Sequence, residues 1–142
     1  MSFTDITLQL RWSDQDANGH LNNARVVTLM EESRVRFIRA VPALETFRGG
    51  GGAVVANLTV DYLAQGHYTP EITVRVGVER IGTKSFTVRH VGVQEVRGTS
   101  VTVFDGATVV VPLGEDGRSA RALLDTERQA LAVFGVEPRP GR

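Results

Sequence analysis

One stretch of this chain carries a long helical period, and most of the chain beyond it alternates like strand. Over residues 24–40, Val26, Leu29, Met30, Ser33, Phe37 and, just beyond, Val41 fall on one stripe. Val27 and Ile38 widen it, and Arg25, Thr28, Glu32, Arg36 and Arg39 occupy the opposite side. Asn22 or Asn23 can cap the start, and Pro42 ends the element. So broad a stripe needs a curved apolar surface to cover it, and the chain offers strands. Ile6, Leu8, Leu10 and Trp12 alternate with Thr7, Gln9 and Arg11. Val54, Ala56, Leu58, Val60 and Tyr62 predict one strand face, Ile72, Val74, Val76 and Val78 a second, and Phe86, Val88 and His90 a third. After His90 the apolar phase moves to Val91 and Val93, which predicts a β-bulge. Residues 101–111 predict a fourth long strand, with a further bulge at Asp105-Gly106 because apolar residues resume at once.

The four glycines 49–52 predict a mobile loop, 114–117 a turn and 120–134 a second amphipathic helix; the tail 135–142, which holds two prolines, is expected to fray. The fold class is therefore α+β: a single domain over 1–142, with an antiparallel sheet of about five strands wrapping one long central helix, plus a C-terminal helix.

A domain of 142 residues buries roughly 68–70% of the surface its unfolded chain exposes, so it needs no disulfide or metal to fold. The chain has no Cys, which removes thiol catalysis, Cys-based zinc sites and disulfides. Sixteen basic and sixteen acidic residues cancel without a run of either sign, so no nucleic-acid partner is expected. The first ten residues lack a basic, then apolar, leader pattern, and no apolar run approaches the roughly 18 residues of a membrane span. A cytoplasmic protein without a membrane partner is expected.

The chemistry concentrates in the polar loop 13–23, between the first strand and the helix. Asp14 and Asp16 precede a helix start, whose unpaired N–H groups and partial positive charge can polarise a carbonyl and stabilise an oxyanion. A carboxylate beside such donors can attack the carbonyl or activate a water. Gly19 allows close approach of the backbone to a ligand. Asp and Asn are equally ordinary turn and cap formers, and spacing alone does not separate the two roles.

Asp14-x-Asp16-x-x-Gly19-His20-x-Asn22-Asn23, followed by Glu31-x-x-Arg34, resembles the 4-hydroxybenzoyl-CoA thioesterase family of hotdog proteins. Val60-Asp61-Tyr62-Leu63, the segment from Arg80 to Phe86, and Arg89-His90 extend the resemblance over most of residues 6–112. It implies a hotdog fold in which two subunits join sheets edge to edge, as a homodimer or homotetramer. It also implies an acyl-CoA or related thioester substrate lying in a cleft at the subunit interface. Asp16 matches the catalytic carboxylate, the backbone N–H near Asn23 the oxyanion donor, and Gly19 and His20 complete the loop. No metal and no cofactor are implied, coenzyme A being part of the substrate. Some branches of the family have His at the position of Asn23 and an aromatic at that of Val26; this chain resembles the Gly-His-x-Asn-Asn branch instead. Gln65 stands where relatives often have Pro.

Other residues carry alternatives. Lys84, with Arg80 and Arg89, could meet the phosphates of CoA or form a solvated strand end. Glu31 and Arg34 are spaced for a helical ion pair, with Arg34 partly buried. Glu31 and Glu32 are reserve carboxylates, because a second hotdog lineage uses a helix Glu. His20 could orient Asp16 or touch substrate, His90 reads as a core histidine, and His67 as exposed. Two competing functions remain: a non-catalytic module binding acyl-CoA or acyl carrier protein, and a dehydratase or hydratase using His20 with Asp16.

Overall fold

A computed structural model of the chain describes residues 2–48 and 51–140; Gly49 and Gly50, half of the glycine run read as a mobile loop, lie outside the described residues. Five strands, β1 (Thr4–Gln9), β2 (Ala53–Tyr62), β3 (Glu71–Ile81), β4 (Phe86–Val96) and β5 (Thr99–Pro112), form one sheet in the order β1-β3-β4-β5-β2, every pair antiparallel. The long helix α1 (Asn23–Ala40) packs against one face of it, and a short helix α2 (Asp125–Ala132) comes after the last strand. This is the hotdog arrangement. Among the described residues no helix is long and apolar enough to cross a membrane.

Period predicts the core well where a strand is central. Ile72, Val74, Val76, Val78, Phe86, Val88 and His90 are each at most 2% exposed. From α1 the sheet receives Val26, Leu29, Met30, Ser33, Arg34, Phe37 and Ile38. The bulge expected in the third strand lies between Gly92 and Val93, opposite Phe104 and Thr102. At Asp105-Gly106 the expected bulge is absent: pairing runs without a shift to β4 and β2 on both sides. Gly106 is there because α1 presses close; a Cβ on it would sit 2.6 Å from Met30 Cε. β2 departs most from expectation. It is an edge strand with its own bulge between Val55 and Asn57, and Val54 and Val55 are 47% and 46% exposed rather than packed. The second helix is shorter than the 120–134 expected, since residues 120–123 run extended and bond Pro112 and Thr83.

The tail is also corrected, as far as residue 140. Val136 N–H donates to Val78 C=O at 2.9 Å, and Arg139 is only 6% exposed. The Arg139 guanidinium donates to Thr59 Oγ1 at 2.5 Å and to the Asp105 carbonyl at 3.3 Å, and its backbone N–H donates to Glu79 at 3.0 Å. This strap therefore reaches β2, β3 and β5. The two prolines suggested fraying, but the partners that hold the strap lie up to 80 positions away.

His90 sits in the core between α1 and β5. The Ser33 hydroxyl donates to the Met30 carbonyl at 2.8 Å, so its oxygen accepts from His90 Nδ1 at 3.1 Å, and Nε2 accepts from the Thr108 hydroxyl at 3.1 Å. Burial, then the charges of Arg34 and Arg139, push the imidazole pKa from 6.5 down to about 3. The folded chain thus binds fewer protons at His90 than the unfolded chain below pH 6.5, and stability falls as pH drops through that window. The expected slope from this group approaches about 1.4 kcal/mol per pH unit. Urea unfolding of wild type and His90→Gln at pH 7 and pH 5 checks this: the variant, lower at both, should lose less between them.

Candidate active site

The loop from β1 to α1 separates its two carboxylates into different jobs. Asp14 is 6% exposed and supports the turn. It accepts from the Arg11 N–H at 2.8 Å, its carbonyl accepts from the Asn22 N–H at 2.9 Å, and Arg25 lies 4.0 Å away. Asp16 is exposed at the tip of a tight loop closed by Gly19, whose φ of 76° favours glycine. Its Oδ1 accepts from the N–H groups of Asn18 at 2.9 Å and His20 at 3.1 Å, and no donor among the described residues reaches Oδ2. The carboxylate is therefore oriented by backbone yet keeps one oxygen open.

The start of α1 is built beside it. Asn22 is the N-cap, its side chain accepting from Ala24 N–H at 2.8 Å, while Arg25 and Val26 donate to the Asn22 carbonyl. Among the described residues, that leaves the Asn23 N–H as the first-turn amide without an acceptor. A cleft of about 410 Å³ is bordered by Asp16, His20, Asn23 and Val26 on one side and by Tyr62, Leu63 and Gly66 on the other. Asp16, with an open carboxylate oxygen, and Asn23, with an open helix-start amide, thus line one cavity, a pairing that suits attack on a carbonyl whose oxygen needs a donor.

Sequence reasoning missed the far wall of this cleft. The Tyr62 hydroxyl donates to the Asn23 carbonyl at 2.9 Å, tying the end of β2 to the helix start. Leu21 N–H donates to the Gly66 carbonyl at 2.7 Å, and a Cβ on Gly66 would sit 2.9 Å from Leu21 Cβ. Buried Gln94 holds the same loop, accepting from His67 N–H at 3.1 Å and donating to the His67 carbonyl at 2.8 Å and Thr69 Oγ1 at 3.0 Å. Only Tyr62 had a signal in sequence, as part of Val60-Asp61-Tyr62-Leu63.

The remaining candidates fall elsewhere. The His20 imidazole meets His67 edge-on at 5.5 Å, and His20 reaches Asp16 through its backbone, not as an imidazole–carboxylate pair. Glu31 is exposed, 3.8 Å from Arg34, and Glu32 is bound by Arg36 at 2.9 Å; neither borders the Asp16 cleft. Arg34 is 8% exposed, and burial lowers its pKa against the opposing pull of Glu31. Arg89 grips Asp105 through two bonds, at 3.1 and 2.7 Å, and donates to the Glu137 carbonyl. Donating to Asp105 raises the Arg89 pKa. Arg80 and Lys84 are exposed, Lys84 in the turn between β3 and β4, and none of the three basic residues lines the Asp16 cleft.

Comparison with known proteins bears on the family and the fold. A family model described as the thioesterase-like superfamily matches residues 10–125. YsmA of Bacillus subtilis is 27% identical over 124 residues, 87% of this chain and 82% of that protein. A Bacillus stearothermophilus structure described as a predicted thioesterase superposes with a TM-score of 0.82 at 28% identity, covering 96% of this chain and 99% of the other. The 4-hydroxybenzoyl-CoA thioesterase of Pseudomonas sp. strain CBS-3 superposes at 0.76 with 16% identity, covering 94% and 99%, and shows likeness of fold.

Proposed function

The chain belongs to the thioesterase-like superfamily, and from that premise we propose that it hydrolyses an acyl-CoA or related thioester to a free acid and a thiol. The observation that carries this is the cleft that Asp16 and Asn23 both line, the first with an open carboxylate oxygen and the second with an open N–H. In the reaction, Asp16 either takes a proton from an attacking water or attacks the thioester carbon itself. The carbonyl oxygen gains negative charge and accepts from the Asn23 N–H. The carbon–sulfur bond breaks, the thiolate leaves with the electron pair and takes up a proton, and water supplies the hydroxyl of the product acid. A panel of acyl-CoA substrates followed with a thiol reagent tests this. Released thiol is expected for at least one acyl group. Tight acyl-CoA binding without thiol release would indicate a binding module, and hydration without thiol release a hydratase. The second of these lacks a supporting geometry, because the His20 ring does not meet Asp16.

The reading includes assembly. Among the described residues β2 pairs only with β5, so its other edge offers a row of backbone groups without a strand partner there, flanked by exposed Val54 and Val55. Joining two such edges through a twofold axis removes both and brings a second subunit beside each cleft. Light scattering at micromolar concentration is expected to give a dimer or tetramer; a fully active monomer would overturn the assembly.

A further inference from the structure

A second groove, of about 540 Å³, lies across the loop from the Asp16 cleft, between β1 and the outer face of α1. Its lining is unusual for a surface furrow. Trp12, the only Trp of the chain, is 75% exposed, and Tyr68 is 46% exposed. Two large rings left in water beside Leu8 and Leu10 offer flat apolar faces. The groove also carries Arg11, Arg25 and Arg36 against Asp14 and Glu32. Those acids are already engaged: Asp14 is buried and holds the Arg11 backbone, and Glu32 is bound by Arg36 at 2.9 Å. Arg11 has no ion pair among the described residues, and Arg25 has only Asp14 at 4.0 Å. Two guanidinium groups therefore remain for an anion next to two rings that can stack.

The groove and the cleft have no lining residue in common but draw on the same two segments. The β1–α1 loop gives Trp12 and Asp14 to the groove and Asp16 and His20 to the cleft. The segment after β2 gives Leu63 and Gly66 to the cleft and Tyr68 to the groove. One extended ligand can thus rest its reacting group at Asp16 and its far end at Trp12. From this we infer that the groove binds a purine nucleotide, the phosphorylated end of coenzyme A, with the base stacked on Trp12 or Tyr68 and phosphate held by Arg11 and Arg25. The identity of the ligand's other end rests on the thioesterase reading; the groove's chemistry does not. The consequence is a preference for CoA over acyl carrier protein, which has no nucleotide.

Trp12 makes the test direct. Titration of wild type with adenosine 3′,5′-bisphosphate, with coenzyme A and with pantetheine is monitored by Trp emission. Saturable quenching is expected from the first two and not from pantetheine. Arg11→Ala and Arg25→Ala, both at exposed side chains, are each expected to weaken nucleotide binding about tenfold, and added salt weakens it further. In the hydrolysis assay these variants should lower kcat/KM for an acyl-CoA about tenfold more than for the matching acyl-pantetheine. Absence of quenching, or a loss caused by Lys84→Ala and not by Arg11→Ala, overturns the assignment and returns the phosphates to the β3–β4 turn. Trp12 emission that shifts with protein concentration in the absence of ligand also overturns it, since a second copy would then cover the groove. Quenching without hydrolysis would refute the thioesterase reading alone, and hydrolysis without quenching the groove alone.

Discussion

Asp16→Asn is expected to reduce acyl-CoA turnover by roughly 10²–10⁴-fold, the span of a general acid–base contribution, with the protein still folded. The substitution is nearly isosteric, and an amide oxygen can keep accepting from the Asn18 and His20 N–H groups, so the loop should hold its shape. What it removes is the negative charge on the open oxygen, and with it both general-base and nucleophilic function. Asp14→Asn acts differently: its carboxylate is buried under the turn, so the change should appear in the melting temperature before it appears in turnover. Glu32→Gln serves as the competitor, because Glu32 is paired on the far side of the helix start. Steady-state kinetics with circular dichroism on the three variants separates these outcomes. Near wild-type turnover in Asp16→Asn, or a greater loss in Glu32→Gln, would remove Asp16 from the reaction.

The largest stability effect is expected at Arg121→Met. Glu127, at the start of α2, is fully buried. It accepts from Arg121 at 2.8 Å on each oxygen, from the Leu124 N–H at 2.8 Å and from the Thr46 hydroxyl. Removing the guanidinium strands a buried carboxylate, which costs about 3–5 kcal/mol. Replacing both partners, as Arg121→Met with Glu127→Met, removes the stranded charge and should recover most of that loss. Urea denaturation of the single and double variants measures the difference. A single variant within error of wild type would mean that Thr46 and Leu124 suffice to hold the charge.

How much was legible in the sequence depends on where information is local. The α1 stripe and the alternation over Ile72–Val78 and Phe86–His90 are local periods, and apart from exposed Val27 and half-buried Val41 their apolar positions are core. The α+β class and the wrapped helix came from those periods. β2 alternates just as clearly, yet its first half is exposed, because edge position depends on strand order, which no period encodes. Residues 120–123 look helical by composition but bond the end of β5 and the β3–β4 turn instead, a tertiary override of propensity. In the site, spacing drew attention to both Asp14 and Asp16; the family resemblance singled out Asp16, and burial and bonding show how differently the two are held. Tyr62, Gly66 and Gln94 act on the loop through contacts dozens of residues away, so no spacing rule could have found all three. Arg89 looked like a phosphate ligand because its partner Asp105 sits 16 positions on, across a hairpin.

The strap held by Arg139 sets an order of events during synthesis. Its guanidinium reaches Thr59 and Asp105, and its backbone reaches Glu79, so none of these ties exists until residue 139 has emerged. By then all five strands and α1 have been available for some time, and domains form largely as units while the chain lengthens. A nascent chain must therefore carry the outer face of β2, β3 and β5 uncovered, with Asp61 and Glu79 turned toward the place the arginine will take. Until then the Thr59 hydroxyl, the Asp105 carbonyl and the Glu79 carboxylate lack the donors that the finished strap gives them. The closing arginine thus acts as a late latch, tying β2, β3 and β5 together only after the strands themselves are complete.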